Sequence, residues 1–236
     1  MDETEPLRAL MEADRWIDRV GSQREHLPEM AELATLEVEL RGFAGSLQAA
    51  KAAQTPVRSA YEAAQRDTER LDTRARDLEK RLTTSTANAR ELAAIHTELE
   101  HVRQLLSSAE DLELGLLIDV EPLDDAVSVI KSQAQPGLAR RGELQATITG
   151  LQSTLDEEIT SLRTARISRA DALSPELLAR YQGVMSRVGI TGAAQVEAGR
   201  CDGCRIALSP LDVDRWKAQA PGTFMACPEC GRLLLP

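Results

Sequence analysis

The sequence predicts a mainly α protein, a long antiparallel coiled-coil hairpin followed by a small C-terminal zinc-ribbon domain. Three observations carry that expectation: an apolar repeat at helical spacing along most of the chain, a hydroxyl-rich interruption within it, and two Cys-x-x-Cys pairs near the C-terminus. They divide the 236 residues into a hairpin over 1–170, with its tip at 83–90, and a helix plus ribbon over 171–236.

The repeat opens at Leu33 and steps by three or four residues through Leu36, Leu40, Phe43, Leu47, Ala50, Gln54, Val57, Tyr61, Ala64, Thr68, Leu71, Ala75 and Leu78 to Leu82. It resumes at Leu92, Ile95, Leu99, Val102 and Leu106, and again at Leu144, Ile148, Leu151, Leu155 and Ile159. Heptads sustained this long specify a coiled coil. With two Trp, two Tyr and two Phe, the chain lacks the large residues of an ordinary globular core and suits a Leu, Ala and Val seam. Between the first two runs lies Thr83-Thr84-Ser85-Thr86-Ala87-Asn88, where short polar side chains compete for backbone hydrogen bonds and favour caps and turns. A tip here makes pairing partners add to about 171, so that Gly21 faces Gly150 and Pro56 lies near Pro122. Pro28, Pro56, Pro122 and Pro136 either bend the two arms at matching heights or cut them into shorter helices.

Ser174-Pro175-Glu176 reads as an N-cap, an N1 proline and a dipole-matched acid, opening a helix that ends near Val188 before Gly189. A strand is expected at Gln195 to Ala198, leading into the first cysteine pair. Ser209-Pro210-Leu211 is the start of a short helix that carries Trp216 inside the ribbon loop.

All four cysteines fall in Cys201-Asp202-Gly203-Cys204 and Cys227-Pro228-Glu229-Cys230, with 22 residues between the pairs. Two intervening residues let both thiolates of a pair point at one ion, and two pairs complete a tetrahedron. Gly203 and Gly231 are expected to relieve the tight turns. Four thiolates leave no open position, so a single Zn²⁺ held by Cys201, Cys204, Cys227 and Cys230 would be structural. A redox Cys-x-x-Cys would need a strand-to-helix turn of an α/β domain, which the chain lacks, whereas an iron site uses the same ligands and the spacing leaves it open.

The net charge of −10 is uneven: residues 1–170 hold 31 acids and 21 bases, residues 171–236 seven of each. The arms therefore repel phosphate, and a nucleic-acid contact would have to be local. Around the ribbon Arg200, Arg205, Arg215, Lys217 and Arg232 are candidate contacts, with Trp216 and Phe224 as apolar anchors for a protein partner. Glu197, Asp202, Asp212, Asp214 and Glu229 share that stretch and favour a solvated surface. Bases outnumber acids by seven to five over residues 66–90, where exposed flank charges are again the default reading. His26, His96 and His101 lie on the arms, far from the cysteines. No nucleophile–base set or glycine-rich phosphate loop is present, so the expectation is no enzyme. The acidic, apolar-poor Met1-Asp2-Glu3-Thr4-Glu5-Pro6 and the lack of an 18-residue apolar run predict a cytoplasmic protein with no membrane contact.

The chain resembles the bacterial C4-type zinc-ribbon proteins that carry an N-terminal coiled-coil hairpin. The resemblance rests on Arg90-Glu91-Leu92 after the tip, Leu112-Glu113, Tyr181, the Cys201-Asp202-Gly203-Cys204 knuckle and the closing Cys227-Pro228-Glu229-Cys230-Gly231-Arg232. It implies that the four cysteines bind zinc and that the protein is an adaptor binding protein or nucleic acid. Some members of the family are linked to an alternative sigma factor and to export machinery. The ending Leu233-Leu234-Leu235-Pro236 departs from the tyrosine with which the family often closes.

Overall fold

The computed structural model describes residues 2–84 and 88–236, and its chain order is helix α1 (Thr4–Glu25), α2 (Pro28–Thr84), α3 (Ala89–Ala170), α4 (Pro175–Val188), strands β1 (Ala193–Ala194), β2 (Val196–Glu197) and β3 (Arg200–Cys201), α5 (Pro210–Lys217), β4 (Met225–Ala226) and β5 (Leu233–Leu234). The mainly α fold class is as expected. The packing groups residues 32–143 into one compact unit and residues 1–31 with 144–236 into another.

In the first unit, α2 and α3 run antiparallel, as Glu32–Arg140, Gln54–Asp124 and Glu79–Arg103 show. Along α2 the residues turned from solvent are those of the expected seam. A tight cluster forms where Ala75 and Leu78 meet Ile95, Leu99 and Val102. The register is shifted from expectation by up to nearly two turns: a Cβ on Gly137 would sit 3.0 Å from Leu40 and 3.5 Å from Leu36, so that partners there add to between 173 and 177. Pro56 and Pro122 accordingly share a height, with Gln54 and Arg58 both reaching Asp124 beside them. These hydrogen bonds, from Gln54 first and then Arg58, hold the Asp124 carboxyl below its ordinary range.

Neither arm is cut at Pro56, Pro122 or Pro136, which lie inside continuous helices. A proline removes one ladder bond, and the buried seam on either side carries the helix through. Pro28 alone coincides with a break, after His26 and Leu27, where the residue before proline is pushed out of the helical region. The expected tip falls partly on residues 85–87, outside the described residues. Its flanks are cap structures: the Thr83 and Thr84 hydroxyls donate to the Lys80 carbonyl, and Asn88 Oδ1 accepts the Glu91 amide at 3.0 Å while Glu91 Oε2 accepts the Asn88 amide at 3.4 Å. That reciprocal capping box gives Arg90-Glu91-Leu92 a physical role at the start of α3.

In the second unit, Leu144, Ile148, Leu155 and Ile159 are buried as expected, but Leu151 is exposed and Gln152 takes its inward position. Gly21 and Gly150 are out of step, since Asp14 pairs with Arg166 and Arg24 with Asp156. Ser174 caps α4 by accepting the Leu177 amide, and Glu3 in turn accepts hydrogen bonds from the Ser174 amide and hydroxyl. One core joins Leu7, Leu10 and Met11 of α1 to Ala170, Leu173, Leu177, Tyr181, Ala193, Phe224, Leu233 and Leu235. The strands are short: β5 lies between β1, in parallel, and β4, antiparallel, while β2 and β3 form a two-residue hairpin. The elements on the two sides of residue 171 thus share their apolar interior.

Candidate metal centre

Each cysteine pair sits on a tight turn after a strand. In the first, the Arg205 amide donates to the Cys201 carbonyl at 2.7 Å; in the second, the Gly231 amide donates to the Cys227 carbonyl at 2.8 Å. The residue after the second cysteine is left-handed in both, with φ 62° at Arg205 and φ 77° at Gly231. Glycine at Gly231 is explained by that φ, whereas Arg205 holds the same conformation at a cost of about 1 kcal/mol. Gly203 has a different reason from the one expected. A Cβ there would lie 2.5 Å from Cδ of Arg232, whose side chain passes from the second knuckle beneath the first.

The two turns bring all four sulfurs within 4.8 Å of one another, with Cys201–Cys230 and Cys204–Cys227 both at 3.9 Å. A tetrahedron with bonds of about 2.3 Å has edges of about 3.8 Å, so the cage fits Zn²⁺. Cys201 and Cys227 are buried beside Ala194, Leu208 and Leu234, with Val213 and Trp216 packed around them. Burial pushes the Cys201 thiol up to about 12 and raises Cys227 as well. Burial acts to raise Cys230 too, but hydrogen bonds from the Arg232 backbone and side chain bring it below its ordinary value. The four thiolates hold one structural Zn²⁺ and leave no position for a reacting molecule.

The candidate contact residues divide into two groups. Arg200, Arg205, Arg215 and Lys217 are exposed, with Arg215 only 3.7 Å from Asp212. Phe224 and Arg232, by contrast, are interior and give no surface for a partner. Phe224 belongs to the shared core, and Arg232 donates to the Thr191 and Val188 carbonyls, both at 3.1 Å, tying the second knuckle to the end of α4. Trp216 is half-buried, its indole N–H donating to the Leu235 carbonyl at 2.8 Å.

Residues that sequence reasoning passed over lock this centre to the helices. Arg15 of α1 pairs at 2.5 Å with Asp202, inside the first knuckle, and Asp202 also accepts the Gln195 amide at 2.8 Å. Asp14, buried, accepts from Arg166 of α3 and from the Tyr181 hydroxyl at 2.6 Å. Burial first, and then this contact with Asp14, raise the Tyr181 phenol far above its ordinary value. The signal was an acid, Asp14, on the same helical stripe as Leu7, Leu10 and Met11.

A family model for the CT398-like coiled coil hairpin domain matches residues 10–189, and one for the C4-type zinc ribbon domain matches residues 200–234. An uncharacterized protein of Mycobacterium tuberculosis, present in two strains, is 25% identical over 97% of this chain and 93% of its own length. Among solved structures, one from Mycobacterium smegmatis has a TM-score of 0.79 at 23% identity, covering 100% of each chain. CT398 from Chlamydia trachomatis has a TM-score of 0.62 at 16% identity, covering 98% of this chain and 96% of its own. The HP0958 protein from Helicobacter pylori has a TM-score of 0.54 at 13% identity, covering 98% and 95%. At these identities the likeness is one of fold.

Proposed function

This chain belongs to the CT398-like coiled-coil hairpin family, and from that premise we propose that it is a cytoplasmic, non-enzymatic adaptor whose zinc ribbon fastens the base of the hairpin and presents a docking surface to a protein partner. The observation that carries the reading is the closed four-thiolate cage set against the core shared by α1, α4 and β5: the metal serves folding and offers nothing to a substrate. The matched models are a hairpin and a ribbon, and neither description names a catalytic activity. Among the described residues no helix is long and apolar enough to cross a membrane.

The partner surface we favour lies beside the first knuckle. Trp16 is 48% exposed, with the Arg19 guanidinium stacked 4.5 Å from its ring centroid, and Arg19 lines a surface depression together with exposed Ile190 and with Asp202 and Gly203 of the knuckle. Trp and Arg are the residue types in which binding energy concentrates. A link to transcription or export machinery remains part of the proposal through the family alone.

A nucleic-acid role is the second reading, favoured by exposed Arg200, Arg205, Arg215 and Lys217. Against it, the charges of residues 171–236 balance, and Zn²⁺ with four thiolates adds about −2. Capture from lysate on the zinc-loaded protein, with and without nuclease and with Trp16→Ala alongside, tests the adaptor. A partner that survives nuclease and is lost with Trp16→Ala supports it. Micromolar oligonucleotide binding with a steep salt slope, in place of the expected affinity no better than about 10⁻⁴ M at physiological salt, would replace it with the second reading.

A further inference from the structure

A groove of about 500 Å³ lies between α2 and α3 within the unit of residues 32–143. Its walls are apolar, from Leu40, Phe43, Ala44 and Leu47 on α2 and Ile130, Ala134 and Leu138 on α3. Its polar residues are Glu37, Arg41 and Arg141. The two helices are antiparallel, so Glu37 and Arg41, before Phe43 on α2, lie at the same end as Arg141, after Leu138 on α3. The groove is therefore amphiphilic along its length, with two guanidiniums and one carboxylate at one end and only apolar side chains at the other.

Arg58, Arg74, Arg103 and Arg140 reach acids on the opposite arm or beside it, and of the arginines in this unit without an ion-pair partner among the described residues, Arg41 and Arg141 are the two that line the groove. Two unpaired like charges on facing walls of an otherwise acidic arm leave a net positive end that complements an anion. We propose that this groove binds a single-chain anionic amphiphile, a medium-length fatty carboxylate, with its head between Arg41 and Arg141 and its tail toward Leu47 and Ile130.

Size separates this occupant from a partner helix. From Glu37 to Leu47 the wall is about 15 Å long, enough for an extended chain of about twelve carbons. A helix of that length and about 10 Å across displaces on the order of 1,000 Å³, twice the groove, so only the tips of its side chains would enter. The groove volume falls in the usual range for small-molecule sites, about 300–1,000 Å³, and such sites combine apolar walls with a few orienting polar groups. The adaptor reading is independent of this assignment, because its surface lies in the other unit.

The test is calorimetric titration of the full-length, zinc-loaded protein with dodecanoate below its micelle concentration, and with dodecylammonium as the oppositely charged probe. One dodecanoate per chain is expected, with dodecylammonium at least tenfold weaker. Ala44→Trp, a change at an exposed position that fills the groove, should weaken dodecanoate more than tenfold while leaving the helical signal intact. Arg41→Gln with Arg141→Gln should weaken dodecanoate about tenfold and leave dodecylammonium no weaker. Equal binding of the two amphiphiles, or dodecanoate binding unchanged by Ala44→Trp, would overturn the assignment.

Discussion

The unit built on the zinc ribbon and the unit built on the arms are held together by opposite strategies. Around the ribbon, a few irreplaceable residues each satisfy several constraints: Asp14 serves Arg166 and Tyr181, Arg232 ties two loops together beneath Gly203, and four thiolates share one ion. In the arms, many interchangeable Leu, Ala and Val side chains each contribute a little, and burial is complete only at sites such as Leu78. Dense cross-linking of short strands compensates for a core too small to stand on apolar burial alone. A repetitive seam needs no such help, because its length supplies the area.

The largest test removes the zinc. Structural zinc supplies on the order of 10 kcal/mol of local folding free energy, so chelation or Cys227→Ser should unfold the ribbon. Since Leu233 and Leu235 share a core with Leu7, Leu10 and Met11, hydrogen exchange should also rise along α1 and α4. Residues 32–143 should keep their protection, leaving most of the far-ultraviolet helix signal in place. Loss of protection throughout the arms would erase the contrast between the two units.

The converse test acts on the seam. Leu78 is fully buried among Ala75, Ile95, Leu99 and Val102, and Leu78→Ala should cost about 3 kcal/mol. Leu112, 58% exposed, should cost under about 0.5 kcal/mol when changed to Ala. Neither change should alter zinc affinity in a chelator competition, and a shift there would show that the units are coupled.

The same contrast explains what could be read from the sequence. The seam from Leu33 to Leu82 was legible because a coiled coil repeats its signal, and each position confirms the last. The cage was legible because ligand spacing is local. Leu151 misled because the repeat slips by one residue there, and an apolar side chain alone does not say which neighbour, Leu151 or Gln152, turns inward. Arg232 and Phe224 looked like surface candidates because their partners, Thr191 and Val188 for one and α1 for the other, lie far away in the chain. Such long-range satisfaction leaves no periodic trace.

A smaller effect is expected from the buried tyrosine. Its raised pKa means that the contribution of Tyr181 is present below pH 10.0, the ordinary tyrosine value, and is lost as the pH climbs above it, since only the unfolded chain then ionises. In Tyr61→Phe, the remaining tyrosine should develop tyrosinate absorbance only together with the loss of structure in the unit around the ribbon. Asp14→Asn keeps an acceptor but removes the charge, and should cost about 2 kcal/mol at neutral pH. Reversible ionisation in the folded protein near pH 10 would mean that the phenol is not enclosed by Asp14 and Arg166.

The smallest effect compares the two knuckles, which share a backbone turn and differ in the residue that follows it. Arg205 at φ 62° pays for a conformation that Gly231 adopts at φ 77° without steric cost. Arg205→Gly should therefore stabilise the zinc-bound ribbon by up to about 1 kcal/mol, partly offset by the greater freedom of glycine in the unfolded chain. Gly231→Ala should destabilise it by about 1 kcal/mol. The Arg205 guanidinium is exposed and makes no contact with the cage among the described residues, since only its backbone amide and carbonyl enter hydrogen bonds at the turn. Retention of a strained arginine in place of glycine is what a contact made by that side chain would require. Chelator competition and thermal melting of the two variants measure the backbone effect, and partner capture with Arg205→Gly measures the contact. A more stable ribbon that captures its partner less well would assign the strain at Arg205 to binding. A ribbon weakened by Arg205→Gly would show instead that the arginine stabilises the first knuckle itself.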